Sequence, residues 1–231
     1  MIDFIKSLFF VPKCFSCGEV LANDDLFCDK CRLEWDKLTR VPCKTCGKKQ
    51  RECACLPAKL RENVTLGIHL VLFEDELSRR VVYATKRRMT NTLCRFLAGS
   101  LARAIREEID DLSDFAITYA PRKPKSVREY GFDQAALLAD AIAEELSLPM
   151  VDLFCHARKS KLQKDLGASA RAENAKNSYF LRGDAHASTK KLMIVDDVIT
   201  TGSTMGSLAA LAKTIGFEEI VVVTIAKTPA K

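Results

Sequence analysis

One stretch near the C-terminus decides the fold, and it reads Lys191-Leu-Met-Ile-Val-Asp196-Asp197-Val-Ile-Thr200-Thr201-Gly202-Ser203-Thr204. Its apolar, mostly branched residues from 192 to 195 predict a buried strand. Apolar residues at helical spacing from 205 to 215 predict a helix that stops at Gly216. A second apolar run from 220 to 225 completes a βαβ unit, so we expect an α/β protein with a parallel sheet.

The loop after the first of these strands suits a phosphate group. Its hydroxyl donors come from Thr200, Thr201, Ser203 and Thr204, and Gly202 lets a ligand approach the backbone closely. The start of the following helix adds backbone N–H groups and a positive partial charge. We therefore expect the phosphate to be held mainly by neutral donors.

Two acidic residues, Asp196 and Asp197, lie just before this loop. They would repel a phosphate but can accept hydrogen bonds from the vicinal hydroxyls of a ribose, with a hydrated Mg²⁺ nearby. Acids followed by a Thr-Thr-Gly loop resemble the signature of type I phosphoribosyltransferases, which bind phosphoribosyl pyrophosphate (PRPP). The resemblance implies that both acids are catalytic residues and that residues 200–204 bind PRPP. The alternative, chance acids before an ordinary capped helix, explains one acid and one cap but not the whole string.

A second strand, predicted for residues 115–119, runs into a cationic loop that carries Arg122 and Lys123. Asp133 or Gln134 then opens a predicted helix over residues 135–146. A cationic loop at a strand end suits the pyrophosphate group of PRPP. The alternative is a solvated basic turn, since such runs are common on surfaces.

The composition fits one α/β domain with a small appendage. The chain has 231 residues, of which 48% are hydrophobic and 29% are charged, as in ordinary globular proteins. No apolar run approaches the roughly 20 residues that span a bilayer, and the N-terminus lacks a signal-peptide pattern. We therefore expect no membrane insertion and a cytoplasmic location.

Eight of the ten cysteines fall in the first quarter of the chain. Their repeated pairs at short spacing predict structural zinc rather than disulfides, because cytoplasmic thiols stay reduced. The simplest pairing gives two sites of four ligands each: Cys14, Cys17, Cys28 and Cys31, then Cys43, Cys46, Cys53 and Cys55. Because the last pair is spaced by only one residue, a single zinc or interleaved ligands are also possible arrangements.

Taken together, the motifs resemble the ComF family, the ComFC-type proteins of bacterial natural transformation. The similarity covers the cysteine array, a basic segment at 83–88, the run from 121 to 134, and the stretch from 158 to 180. Tyr130 and Asp133 stand where the family usually has Arg and Asn. The resemblance implies a zinc-binding module at 1–58, a phosphoribosyltransferase-like domain at 59–231, and a role in DNA uptake with a helicase partner.

Three functions are compatible with these features. In phosphoribosyl transfer, Mg²⁺ and the cationic loop would neutralise the leaving pyrophosphate, Asp197 is a candidate general base, and residues 158–171 would close as a lid. The acceptor is not specified, so a transferase of nucleotide metabolism and a non-catalytic PRPP-sensing regulator are both alternatives. A formal net charge of +6 permits binding to single-stranded DNA through its phosphates.

Overall fold

The computed structural model describes residues 11–43, 46–48, 55–156 and 178–229. In these ranges four parallel strands form one sheet in the order β1-β6-β5-β2, with β1 at Leu66–Leu72, β2 at Phe115–Tyr119, β5 at Lys191–Ile199 and β6 at Glu219–Lys227. A second, antiparallel pair consists of β3 at Phe154–His156 and β4 at Tyr179–Leu181. The helices are α1 at Asp29–Leu38, α2 at Glu76–Arg87, α3 at Asn91–Glu108, α4 at Pro124–Tyr130, α5 at Gln134–Leu146 and α6 at Ser203–Thr214, and a 3-10 helix spans Ala58–Leu60.

The sheet separates two apolar cores, because successive side chains of a strand point to opposite faces. On one face Met193 and Val195 of β5 belong to the core that α3 and α5 complete. On the other face Leu192 and Ile194 belong to the core that α6 and Leu60 complete. The predicted architecture, a parallel sheet flanked by helices, is confirmed.

The central strands are longer than their apolar runs predict. β5 continues through both acids, since Asp196 pairs in register with Thr224, and Ile199 pairs with Lys227. A strand beside a neighbour on each side gains ladder hydrogen bonds whatever its side chains are. The acids are therefore held on rigid sheet backbone rather than in a loop.

Two basic segments that the sequence suggested as loops or unassigned stretches are helical in part. The cationic loop ends at Lys123, because Pro124 occupies the first turn of α4 and Gly131, with φ of +81°, ends that helix. The basic segment from Tyr83 to Arg88 is the last turn of α2 and its cap.

The cysteine-rich region packs against α3 through aromatic rings. Trp35 of α1 is 2% exposed, and its ring lies 5.9 Å from Phe27 and 5.8 Å from Phe96 of α3. The guanidinium of Arg32 lies 4.7 Å from the centre of the Phe96 ring. Trp35 thus joins the N-terminal module to the rest of the protein.

The predicted boundary between residues 58 and 59 falls inside the 3-10 helix, and it stays a prediction. Across the described ranges, the helices are all too short or too polar to cross a bilayer.

Candidate functional site

The predicted ligand residues lie at the carboxyl edge of the sheet, where α/β proteins commonly bind ligands. β2 and β5 are neighbours, with Tyr119 in register with Val195, and the N–H of Ala120 donates to the Val195 carbonyl at 2.9 Å. The loop after β2 and the acids of β5 are consequently adjacent. The sequence placed both at strand ends, but only the strand order makes them neighbours.

Asp197 is fixed in place by two donors. Its side chain is buried, its Oδ2 accepts from Gln134 Nε2 at 3.0 Å, and the same oxygen lies 3.5 Å from Lys86 Nζ. A buried carboxylate is costly without such partners. Asp197 is therefore better suited to holding Gln134 and Lys86 in place than to accepting a proton from a ligand.

Asp196 has the more unusual electrostatics of the pair. Burial and the neighbouring charge of Asp197 raise the pKa of the Asp196 carboxyl well above its usual range. Its Oδ1 accepts from the backbone N–H of Asp197 at 2.8 Å. A ligand that brings hydroxyl donors or a cation would stabilise the ionised form of Asp196. The Asp196 carboxylate therefore favours such a ligand.

The hydroxyl loop lies directly after these acids. Gly202, with φ of +77°, takes a left-handed conformation at the N-cap of α6. Thr201 Oγ1 and Ser203 Oγ lie 2.9 Å apart, and the side chains of Thr200, Thr201 and Ser203 are exposed. Thr204 is half-buried in the first turn of the helix. The exposed hydroxyls and the first N–H groups of α6 point to an anion as the ligand.

The cationic loop presents Arg122 to the same edge. The Arg122 guanidinium lies 4.7 Å from the centre of the Tyr130 ring, and its Nη2 donates to the Lys86 carbonyl at 3.1 Å. Its Nη1 is buried and has no hydrogen-bond partner among the described residues. A buried donor without a partner is costly, which suits a group that is completed by an anionic ligand. Lys123 is exposed and occupies the N-cap position of α4, where its side chain makes no capping hydrogen bond.

Lys86 connects the two halves of the site, a role that was not predicted from the sequence. Its ammonium approaches Asp197 and its carbonyl accepts from Arg122. Gln134, which the sequence marked only as a helix start, holds the same carboxylate. The signal that could have found Lys86 was the basic segment at residues 83–88, one of the stretches that resemble the ComF family. The predicted lid, residues 158–171, lies outside the described residues.

The first cysteine cluster fits a tetrahedral metal ion. The sulfurs of Cys14, Cys17, Cys28 and Cys31 all lie within 4.8 Å of one another, and sulfurs bound to one zinc at about 2.3 Å are about 3.8 Å apart. Burial alone would raise the pKa of the Cys14 thiol, but the backbone N–H groups of Cys17, Cys28 and Ser16 lower it to about 6. Burial raises the pKa of Cys31. Four thiolates this close together repel one another, and a bound cation would offset that repulsion.

The second cluster repeats the turn of the first. Gly18 N donates to the Cys14 carbonyl at 2.9 Å, and Gly47 N donates to the Cys43 carbonyl at 2.8 Å. Both glycines have positive φ, +79° and +72°. The sulfurs of Cys43, Cys46 and Cys55 lie within 4.8 Å of one another, and Cys53 lies outside the described residues. These two clusters could each hold a zinc ion.

Known proteins resemble this chain both in its C-terminal part and over most of its length. Residues 133–231 match the model of the phosphoribosyl transferase domain, which suggests a phosphoribosyl ligand. Competence protein ComFC of Streptococcus pneumoniae is 21% identical over 228 residues, 90% of this chain and 96% of that protein. DNA utilization protein YhgH of Escherichia coli O157:H7 is 26% identical over 204 residues, 86% of this chain and 82% of that protein.

A third relative matches a shorter part of the chain. Competence protein F of Haemophilus influenzae is 33% identical over 92 residues, which is 39% of this chain and 40% of that protein. Relatives named for competence and DNA utilization thus extend over most of the chain, and a phosphoribosyl transferase domain occupies its C-terminal part. Together these matches support a ComF-family protein.

Proposed function

We propose that this protein binds PRPP with Mg²⁺ at the carboxyl edge of β2 and β5 and acts in DNA uptake in the cytoplasm. The observation that carries the proposal is that three groups of residues, each suited to a different part of PRPP, lie at the same edge of the sheet. Acids at 196 and 197 suit ribose hydroxyls, the hydroxyl loop suits a 5′-phosphate, and Arg122 with Lys123 suits a pyrophosphate.

The two acids would have different roles. Asp196 would accept the ribose hydroxyls, because among the described residues its carboxylate makes no side-chain hydrogen bond or ion pair of the kind that Gln134 and Lys86 make with Asp197. Asp197 would position Lys86 and Gln134, and it would serve as a general base only if Lys86 moved away from it. When bound, Mg²⁺ would neutralise negative charge on the pyrophosphate and so favour its departure.

Arg122 would hold the pyrophosphate through its unpartnered Nη1, while Tyr130 and the Lys86 carbonyl keep its guanidinium in place. The same site serves two further hypotheses. An enzyme of nucleotide metabolism would pass the ribosyl group to an acceptor, and a non-catalytic sensor would change its affinity for a partner when PRPP binds. Release of pyrophosphate in the presence of candidate amines and bases distinguishes them.

Titration calorimetry of the zinc-loaded protein with PRPP and Mg²⁺ tests the proposal. We expect saturable heat for the wild type and a loss of affinity of at least about tenfold when Asp196→Asn and Asp197→Asn are combined, since the ribose acceptor is weakened and the carboxylate that positions Lys86 is lost. Arg122→Gln should weaken PRPP and free pyrophosphate together. A wild type that gives no heat with PRPP and Mg²⁺ would refute the proposal.

A second candidate function is binding of single-stranded DNA, delivered by an uptake helicase. The observation that favours it is a row of exposed arginines on α2 and its cap, formed by Arg79, Arg80, Arg87 and Arg88. Positions 80 and 87 differ by seven residues, so their side chains share one face of the helix. Such a face would contact backbone phosphates without reading sequence.

Salt dependence tests this second function. Replacing both Arg80 and Arg87 with Gln should lower the slope of log affinity against log salt by about 1.4, because each phosphate contact on a single strand contributes about 0.7. The matched control replaces Lys30 and Lys37, which are also exposed and seven residues apart on α1. Equal changes in both double variants would mean that α2 is not the contact surface.

A further inference from the structure

We propose that Lys59 is an additional ligand for the phosphate at the hydroxyl loop. This residue lies in the segment that joins the second cysteine cluster to β1 and is distant in sequence from every residue predicted to bind PRPP. The inference deepens the proposed function and rests on it, because the anion in question is the 5′-phosphate of a phosphoribosyl ligand.

The contact is direct. Lys59 Nζ donates to Ser203 Oγ at 2.8 Å, and Ser203 Oγ lies 2.9 Å from Thr201 Oγ1. Both hydroxyls are exposed at the start of α6. An ammonium group at this point has three donors, of which the hydroxyl uses one. The other two are available to an anion at the loop, and they add a full charge to a set of neutral hydroxyls and backbone N–H groups.

Packing fixes the backbone that carries Lys59. A Cβ atom on Gly206 would lie 2.7 Å from the Lys59 carbonyl oxygen, and one on Gly202 would lie 2.9 Å from Leu60 Cγ. The Leu60 side chain is fully buried in the core beneath α6. The 3-10 helix therefore rests directly on the first turns of α6, and two glycines make that approach possible.

The upstream end of the segment is also tied to the sheet. Lys227 Nζ at the end of β6 donates to the Cys55 carbonyl at 2.9 Å. Lys59 thus lies between two anchored points, the Cys55 carbonyl and the buried Leu60. The anchored backbone keeps Lys59 beside the hydroxyl loop, and the hydrogen bond to Ser203 already orders its ammonium, so phosphate binding requires little further ordering of this side chain.

The test uses the zinc-loaded full chain and two probes, PRPP with Mg²⁺ and ribose 5-phosphate, the latter measured by displacement of PRPP. We expect Lys59→Gln to weaken both by about tenfold, the effect of one charge-assisted hydrogen bond. Lys59→Arg should retain most of the affinity. The matched control is Lys30→Gln, an exposed lysine of α1, which should leave both affinities unchanged.

Zinc content and the unfolding midpoint of each variant show whether the segment has kept its structure. If Lys59→Gln binds both probes as tightly as the wild type, the inference is overturned and the proposed function stands. If only PRPP weakens, Lys59 contacts the pyrophosphate, and the assignment to the 5′-phosphate is overturned. A wild type that binds neither probe refutes the inference and the proposed function together.

Discussion

Asp133 shows how one side chain can organise a loop and a helix start together. Its Oδ1 accepts from the N–H groups of Ala135 and Ala136 at the start of α5, and its Oδ2 accepts from the Arg122 N–H at 2.7 Å. The family usually has Asn here, whose amide offers only one acceptor oxygen. The Asp found in this chain therefore caps the helix and holds the cationic loop at the same time.

We predict that Asp133→Ala lowers the free energy of unfolding by about 1–2 kcal/mol, through loss of the cap, and weakens PRPP binding. Urea unfolding and calorimetry measure the two effects. The control is Asp75→Ala, since Asp75 is the N-cap of α2 but its side chain makes no cap hydrogen bond; its cost should stay below about 0.5 kcal/mol. Equal costs at the two positions would contradict the capping role.

His69 of β1 makes stability depend on pH. Burial and the charge of Lys227 lower its pKa to about 3, so protonation disfavours the folded state. The stabilisation is complete above the unfolded pKa of about 6.5 and is lost at about 1.4 kcal/mol per pH unit as the pH falls towards 3. We expect this slope, below about pH 6.5, in the difference in free energy of unfolding between the wild type and His69→Gln. Urea unfolding from pH 7.5 to 4.5 measures it. A difference that does not change with pH would contradict it.

At the scale of elements, the contact between the 3-10 helix and α6 predicts opposite effects for two helical glycines. Gly206→Ala should destabilise the protein by about 1–3 kcal/mol, since its Cβ would meet backbone at 2.7 Å. Gly99→Ala in α3 meets nothing within 4 Å, so it should stabilise by about 0.5–1 kcal/mol. Urea unfolding of both variants measures this. A stabilised Gly206→Ala would mean that the 3-10 helix is not packed on α6.

Helices and strands whose apolar residues recur at a regular spacing were predictable from the sequence, but the contacts between these elements were not. The strand at 115–119 has the predicted bounds, and α5 begins at Gln134 after the Asp133 cap, one of the two predicted openings. β5 extends four residues past its apolar run, because ladder pairing with β6 does not depend on apolar side chains. The helix at Pro124–Tyr130 was not predicted, because this short basic segment has too few apolar residues to show a helical spacing.

The site was predictable only in part, because local motifs identify residues at strand ends but not residues that other elements bring to them. Motifs showed which residues end strands and which suit a phosphate, so the two halves of the site could be named. Lys59, Lys86 and Gln134 reach the site from other elements, through packing that only the folded chain reveals. Long-range ion pairs leave no local pattern in a sequence.

For the whole molecule, the aromatic contact between α1 and α3 predicts what happens when metal is removed. Chelation should expose Trp35, the only tryptophan, and shift its emission to the red while most of the sheet stays folded, because the module depends on its cysteine clusters. Fluorescence, circular dichroism and elemental analysis measure this, with at least one zinc per chain expected in the native protein. Unchanged emission after complete zinc loss would contradict a metal-dependent module.

The strand order β1-β6-β5-β2 has a consequence for synthesis on the ribosome. Among the described strands of this sheet, the two outer ones emerge first and the two central ones last. Of these, β2 has no partner strand until β5 at Lys191–Ile199 has been translated, and β1 has none until β6 at Glu219–Lys227 has been translated. A nascent chain therefore carries unpaired apolar strands through most of its translation, which makes it a natural client for chaperones and leaves chains truncated before β6 prone to aggregation.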